Sequence, residues 1–271
     1  MEVNVSAPGD GRGVLFPAAL PSFRRLPTPP ALQELVRWWW IPRWNLGSGQ
    51  VLNQTVLPFP ASNLVIMPDG VSLAGPTTGV SERKLEGEGW AVGALLRPAA
   101  IAQLHQDPGA IRDSEIPFDA SDLHEAIAAA MALSDEESTY ERAIAAYADW
   151  ITKHMSPPKQ DDLVANAVEE LISTNRNIVS VAQVAQHFGL SVRAVQRLAQ
   201  RYIGLPPLPV IRRYRLQEAA ERLREDPALT IAQVAADLEY ADHAHLTSDF
   251  RKVLGLTPTI YRNQQRKDLN S

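Results

Sequence analysis

The chain changes its hydrophobic rhythm near its middle. From Gln50 to Arg97, apolar residues come in short β-branched or aliphatic runs, "QVLNQTVL", "SNLVIMPDGVSLAG" and "GWAVGALL", separated by turn residues, which is the pattern of strands. Pro68-Asp69-Gly70 has the chemistry of a hairpin turn. After Pro98 the spacing becomes helical: a short helix over Pro98 to Gln106, an Ala-rich one over Ser121 to Leu133 capped by Ser121 or Asp122, and a longer one over Ser134 to His154. Ser156-Pro157-Pro158 stops that run, because proline lacks the helical donor and pushes the residue before it out of the α region. From Asp161 onward nearly everything reads as helix, starting with an apolar stripe at Leu163, Ala167, Val168, Leu171 and Ile172. The first thirty residues are dense in Pro and Gly and read as an arm. The expected fold class is α+β, with a β-rich domain carrying helices over 31–155, a linker at 156–160 and an all-α domain over 161–271.

The helical part contains an approximate internal repeat. "SVAQVAQHFGLSVRAVQRLAQRYIGLPP", Ser180 to Pro207, matches "TIAQVAADLEYADHAHLTSDFRKVLGLTP", Thr230 to Pro258. Each copy opens on a hydroxyl residue suited to an N-cap, passes through "AQVA", breaks, restarts as a helix and ends on Gly-Leu before Pro. Ala185 and Ala235 are small where two helices cross. Val181, Val184, Val195 and Leu198 supply a core for the first copy, and Ile231, Val234, Leu246 and Phe250 for the second. Gly189-Leu190-Ser191 makes a tight turn, since glycine is free to adopt positive φ. The copies read as two helix-turn-helix units, about 180–202 and 230–254, joined by a linker helix at about 207–225.

This duplicated arrangement resembles the AraC/XylS family of transcription regulators. The resemblance covers roughly Asp161 to Arg262 and is most specific in "RLQEAAERL", "TIAQVAADL" and "GLTPTIYR". It implies a sequence-specific binder of double-stranded DNA, with reading helices at Ser191 to Tyr202 and Asp242 to Leu254. On the first, Arg193, Gln196 and Arg197 face base edges or phosphates and Arg201 meets a phosphate. On the second, the outward set is His243, Ala244, Thr247 and Ser248, with Arg251 and Lys252 behind. Ser248 stands where the family usually has a basic residue, Asp249 adds negative charge nearby, and Glu239 replaces the turn glycine. The first unit is therefore expected to supply more base readout and the second to position the domain. Two units on one rigid helix would reach successive major grooves, about 34 Å apart. The family also implies that the N-terminal half is a barrel-like sensing or dimerisation module.

Charge sharpens this picture. The net charge of -5 argues against a nucleic-acid binder, but Met1 to Gln160 holds 12 basic and 18 acidic residues while Ser180 to Lys267 holds 13 basic and 8 acidic. The positive charge belongs to the repeat, where phosphate contacts need it. The absence of cysteine removes thiol nucleophiles and zinc ribbons, and fits a reducing, cytoplasmic setting. The first thirteen residues lack the order of a signal peptide, and no apolar run is long enough to span a membrane. All six Trp residues precede the linker. Trp38, Trp40, Trp44 and Trp90 could wall an effector site with Arg97, or Arg37 or Arg43, facing an anionic ligand; core or dimer surface is the competing reading. A regulator whose N-terminal domain binds protein alone stays open; RNA polymerase and a second copy in a homodimer are further candidate partners of the chain. A cupin-like enzyme fused to a DNA-binding tail is disfavoured: His105, His124 and His154 lie far apart in helical segments, and no nucleophile motif is present. Neither catalytic residues, nor metal ligands, nor a cofactor are expected.

Overall fold

The computed structural model describes residues 22–57, 59–133 and 135–268. The N-terminal part contains strands β1 (Phe23–Pro27), β2 (Val36–Asn45), β3 (Val51–Val56), β4 (Asn63–Met67), β5 (Gly70–Ala74), β6 (Ser81–Glu86), β7 (Glu88–Trp90), β8 (Val92–Leu96) and β9 (Glu115–Pro117), with helices α1 (Pro98–Leu104), α2 (Ser121–Met131) and α3 (Glu136–His154). An antiparallel sheet runs β1-β2-β8-β4-β5-β9, with β7 also pairing with β2, and β3 and β6 form a separate ribbon. The β4–β5 hairpin pairs Met67 with Gly70, so the turn falls where Pro68 and Asp69 predict it.

Two expectations need correction here. The arm expected over 1–30 reaches no further than Ser22, because Phe23–Pro27 pairs along β2; residues 1–21 lie outside the described residues. The strands also start well before Gln50, since the Trp-rich stretch is β2, ten residues long and flanked by β1 and β8. Three consecutive tryptophans hide the alternation of a strand because both faces of β2 are covered. Trp39 and Ile41 enter the core with Leu64, Ile66, Leu73, Val92 and Ala94, which α1, α2 and α3 close with Ile101, Leu123, Ile127 and Tyr147. Trp38 and Trp40 face the other way. Trp40 lies across from Gly93, and a Cβ at Gly93 would come to 2.1 Å from its indole. Glycine weakens most strands, but here it makes the space that the ring fills.

Capping also differs in detail. Helix α2 is preceded by Ala120 with no side-chain cap; Asp122 instead accepts a hydrogen bond from Trp150 Nε1 at 3.1 Å. Asp135 caps α3 by accepting from the Ser138 amide at 2.8 Å.

After the proline break, the chain continues through α4 (Gln160–Thr174), α5 (Val181–Phe188), α6 (Val192–Tyr202), α7 (Pro207–Glu225), α8 (Ile231–Asp237), α9 (His243–Leu254) and α10 (Pro258–Asp268). On α4 the apolar stripe is only part of the buried face. Ala167 is exposed, whereas Asn166, Glu169 and Ser173 are buried. Those polar groups meet the N-terminal part. The Asn166 amide donates to the Glu34 carbonyl at 2.8 Å and its oxygen accepts from the Ala99 N–H at 3.0 Å. Glu169 accepts from Arg37 Nη1 at 2.5 Å and from the Tyr214 hydroxyl; Arg37 also donates to Ser173 Oγ at 2.9 Å, and Arg97 Nη1 donates to Glu170 at 2.7 Å. Apolar contacts flank this ionic cluster. Phe59 and Leu95 join the core of α4 to α7, and Leu57 joins the core of α7 to α10. The β-rich and helical parts therefore share their cores.

Candidate nucleic-acid interface

The repeat seen in the sequence is a repeat of backbone hydrogen bonds. Ser180 Oγ accepts from the Gln183 amide at 3.3 Å while Gln183 Oε1 accepts from the Ser180 N–H at 2.9 Å; Thr230 and Gln233 do the same at 3.1 and 2.8 Å. Each capping box satisfies donors that the first turn of a helix leaves free. At the far end, Leu190 N–H bonds the Ala185 carbonyl at 2.8 Å and Tyr240 N–H bonds the Ala235 carbonyl at 2.9 Å. This closure needs a left-handed residue one step earlier. Gly189 sits there with φ 63°, and Glu239 sits there with φ 55°. The sequence departure at Glu239 leaves the turn unchanged and places backbone strain in the second unit, of about 1–2 kcal/mol for a residue with a Cβ.

Helices α6 and α9 then start on side-chain caps, the Ala194 amide donating to Ser191 Oγ at 3.1 Å and the His245 amide to Asp242 Oδ1 at 2.7 Å. Val195 and Ala199 of α6, and Leu246, Phe250 and Leu254 of α9, are buried and fix how each helix is turned. At 100° per residue, the opposite column is Arg193, Arg197 and Gln200 on α6, with Gln196 and Arg201 flanking it, all five exposed. Gln200 lies two turns beyond Arg193, with its side-chain amide beside Gly109 of the β-rich part. On α9 the matching column is Ala244, Ser248 and Arg251, with His243, His245 and Lys252 also exposed. Thr247 is half-buried and its hydroxyl donates to the His243 carbonyl at 2.8 Å, so it stands at the edge of this face. Asp249 is half-buried, with one carboxylate oxygen fully buried. It does not project from the outward column. Ala244, Ser248 and their neighbours His243, Thr247, Arg251 and Lys252 line an open notch of about 530 Å³.

Helix α7 holds the two units together. Val210, Ile211 and Tyr214 pack into the core of the first unit, and Leu216, Ala219, Ala220 and Leu223 into that of the second. Arg215 is buried and donates through Nε to the Leu238 carbonyl at 3.0 Å, with its guanidinium 4.2 Å from the centre of the Tyr240 ring. It thus satisfies a free carbonyl at the end of α8 from another helix. Burial raises the Tyr240 hydroxyl well above its ordinary pKa. The remaining face of α7 is covered by the β-rich part: Arg213 donates to the Gly79 carbonyl at 3.1 Å and the Gln217 amide to the Leu57 carbonyl at 3.2 Å. Burial lowers the Arg213 pKa to about 10.

The residues suggested for an effector site do not converge. Trp38 packs edge-on against Phe59 at the seam with the helical part, with ring centres 4.8 Å apart. Trp40 donates to Asn63 Oδ1 at 3.0 Å and Trp44 to the Glu86 carbonyl at 3.2 Å. Trp90 packs against the opposite, core side of the sheet. Arg97 is engaged by Glu170 and by the Gln33 carbonyl. Arg37 is likewise committed to Glu169.

Comparison with known proteins agrees with this geometry. Residues 184–264 match the family model described as a helix-turn-helix domain, and residues 24–117 match a domain of unknown function (DUF6597). The helical region is similar to the HTH-type transcriptional activator AarP of Providencia stuartii, at 26% identity over 38% of this chain and 76% of AarP. It is also similar to an AraC-like transcription regulator of Streptomyces lividans, at 30% identity over 45% of this chain and 38% of that one. The F1 operon positive regulatory protein of Yersinia pestis is 30% identical over 37% of this chain and 34% of its own length. With the last two, the match spans little more than a third of the relative. The duplicated unit, its linker helix and these relatives together show that the helical region is built like the DNA-binding domain of AraC-type transcription regulators.

Proposed function

We propose that this regulator binds an asymmetric duplex site with two unequal reading helices, under control of its β-rich half. The observation that carries this is the contrast between two equivalent pairs of positions on one repeated backbone: Arg193 and Arg197 against Ala244 and Ser248. Arginine pairs bidentately with guanine, and a good pair discriminates by about 1–3 kcal/mol. Arg193, Gln196 and Arg197 read bases, while Arg201, Arg251 and Lys252 meet phosphates. His243, Ala244, Thr247 and Ser248 bring the second unit against the next groove.

The test is affinity for a site selected from random duplexes. Arg197→Ala weakens binding by about tenfold or more, from the same 1–3 kcal/mol, and Thr247→Ala by much less. A larger loss from Thr247→Ala overturns the assignment. The β-rich half is positioned to transmit a signal, because it packs directly on α4 and α7. Within this reading it takes a small-molecule effector, supported by its contact with the DNA-binding helices rather than by a formed cavity. Thermal melting against a metabolite panel checks this, with a ligand-specific rise as the expected result. Two reading helices on one chain make a homodimer unnecessary for contacting two grooves. Among the described residues no helix is long and apolar enough to cross a membrane, and we place the protein in the cytoplasm beside RNA polymerase, acting as a regulator and not as an enzyme.

A further inference from the structure

The second reading helix has an unusual outline for a convex rod. Ala244 and Ser248 present short side chains at the middle of its exposed face, Thr247 stands at the edge, and His243, Arg251 and Lys252 line the same open surface. The proton of the Thr247 hydroxyl is committed to the His243 carbonyl, so Thr247 adds carbon surface beside the Ala244 methyl. The surface therefore combines two methyl groups with the Ser248 hydroxyl and two cationic side chains.

From this outline we infer that α9 reads thymine by its 5-methyl group, a determinant separate from the hydrogen-bonding readout on α6. In the major groove, thymine alone among the four bases carries that methyl, and alanine and threonine methyl groups are suitable contacts for it. Arg251 and Lys252 meet the phosphates on either side, which matches their charge to the charge of the groove edges. The short side chains also let the helix backbone approach the bases more closely than Arg193 and Arg197 allow on α6. The second unit thus selects T over C at a fixed distance from the bases read by the first. Cytosine offers no methyl for Ala244 and Thr247 to contact, and this missing contact is what separates the two pyrimidines.

This inference rests on the DNA-reading function proposed above, and the test separates the two. With the full-length chain, a site is selected from random duplexes, and each thymine in it is replaced singly by deoxyuridine, which removes only the methyl. One or more positions in the half facing α9 lose about fourfold in affinity, the factor corresponding to burial of one methyl-sized group. In Ala244→Gly, with helical content checked by circular dichroism, the same replacement costs less than about half as much on a logarithmic scale, while bases facing Arg193 and Arg197 keep their full effect. The inference is overturned if no thymine in that half responds to deoxyuridine, or if Ala244→Gly leaves the response unchanged. If the chain selects no site at all, the DNA-reading function fails together with it, and that result is recognised before any base is replaced.

Discussion

Replacing Glu169 by alanine tests whether the β-rich and helical parts are held together as the structure indicates. The Glu169 side chain is 4% exposed and that of Arg37 is 10% exposed, and their charged atoms lie 2.5 Å apart. Tyr214 also donates to this carboxylate, and Arg97 stands 3.6 Å from its second oxygen. Glu169→Ala leaves the Arg37 guanidinium in nearly the same place without its main counter-charge. Breaking a buried pair from one side costs about 3–5 kcal/mol. Arg37 keeps Ser173 Oγ at 2.9 Å and has Glu170 at 3.8 Å, so the lower part of that range, about 3–4 kcal/mol, is the better expectation. For a chain of this size, about 2–4 °C of melting temperature corresponds to each kcal/mol, and the shift should be about 6–16 °C downward. Thermal unfolding followed by circular dichroism at neutral pH reads it. The double replacement Arg37→Met with Glu169→Leu should recover most of the loss, because apolar residues of similar volume need no counter-charge. A drop of less than about 2 °C in the single variant, or a double variant no better than the single, refutes the assignment of this cluster as the latch.

Two further outcomes follow from backbone geometry. Glu239→Gly relieves the left-handed residue of the second turn, and even after the added freedom of glycine in the unfolded chain it should stabilise by about 0.5–1 kcal/mol; a lower melting temperature contradicts this. Gly93→Ala should destabilise by about 1–3 kcal/mol, because the new methyl meets the Trp40 ring that fills this space, and displacement of the indole from Asn63 should change the tryptophan emission; unchanged stability and emission would show that the ring is not held there.

The helix-turn-helix repeat was legible because its determinants are local. Ser180 and Gln183, Thr230 and Gln233, and Gly189 act within a few residues of each other, and their hydrogen bonds form as the spacing predicts. The β4–β5 hairpin was legible for the same reason. What stayed hidden depends on partners distant in sequence. Strand β2 does not alternate because Trp39 faces one core and Trp38 the other. On α4, Asn166 and Glu169 resemble a solvated face until Glu34, Ala99 and Arg37 are placed against them. The same limit explains the effector residues: Trp38, Trp40, Trp44, Trp90 and Arg97 are rich in binding chemistry, but strand register and α4 give them separate neighbours. On α9, only the buried positions Leu246, Phe250 and Leu254 reveal that Asp249 turns away from the outward column.

Helix α7 has a consequence for how operators can vary. Its nineteen residues span about 28 Å at 1.5 Å per residue, and contacts on both ends and with the β-rich half prevent it from sliding. It works as a ruler with a built-in phase. One inserted residue would lengthen it by only about 1.5 Å but rotate everything beyond it by about 100°, turning the exposed face of α9 away from that of α6. Operators for this protein should therefore tolerate changed bases within either half more readily than one added base pair between them.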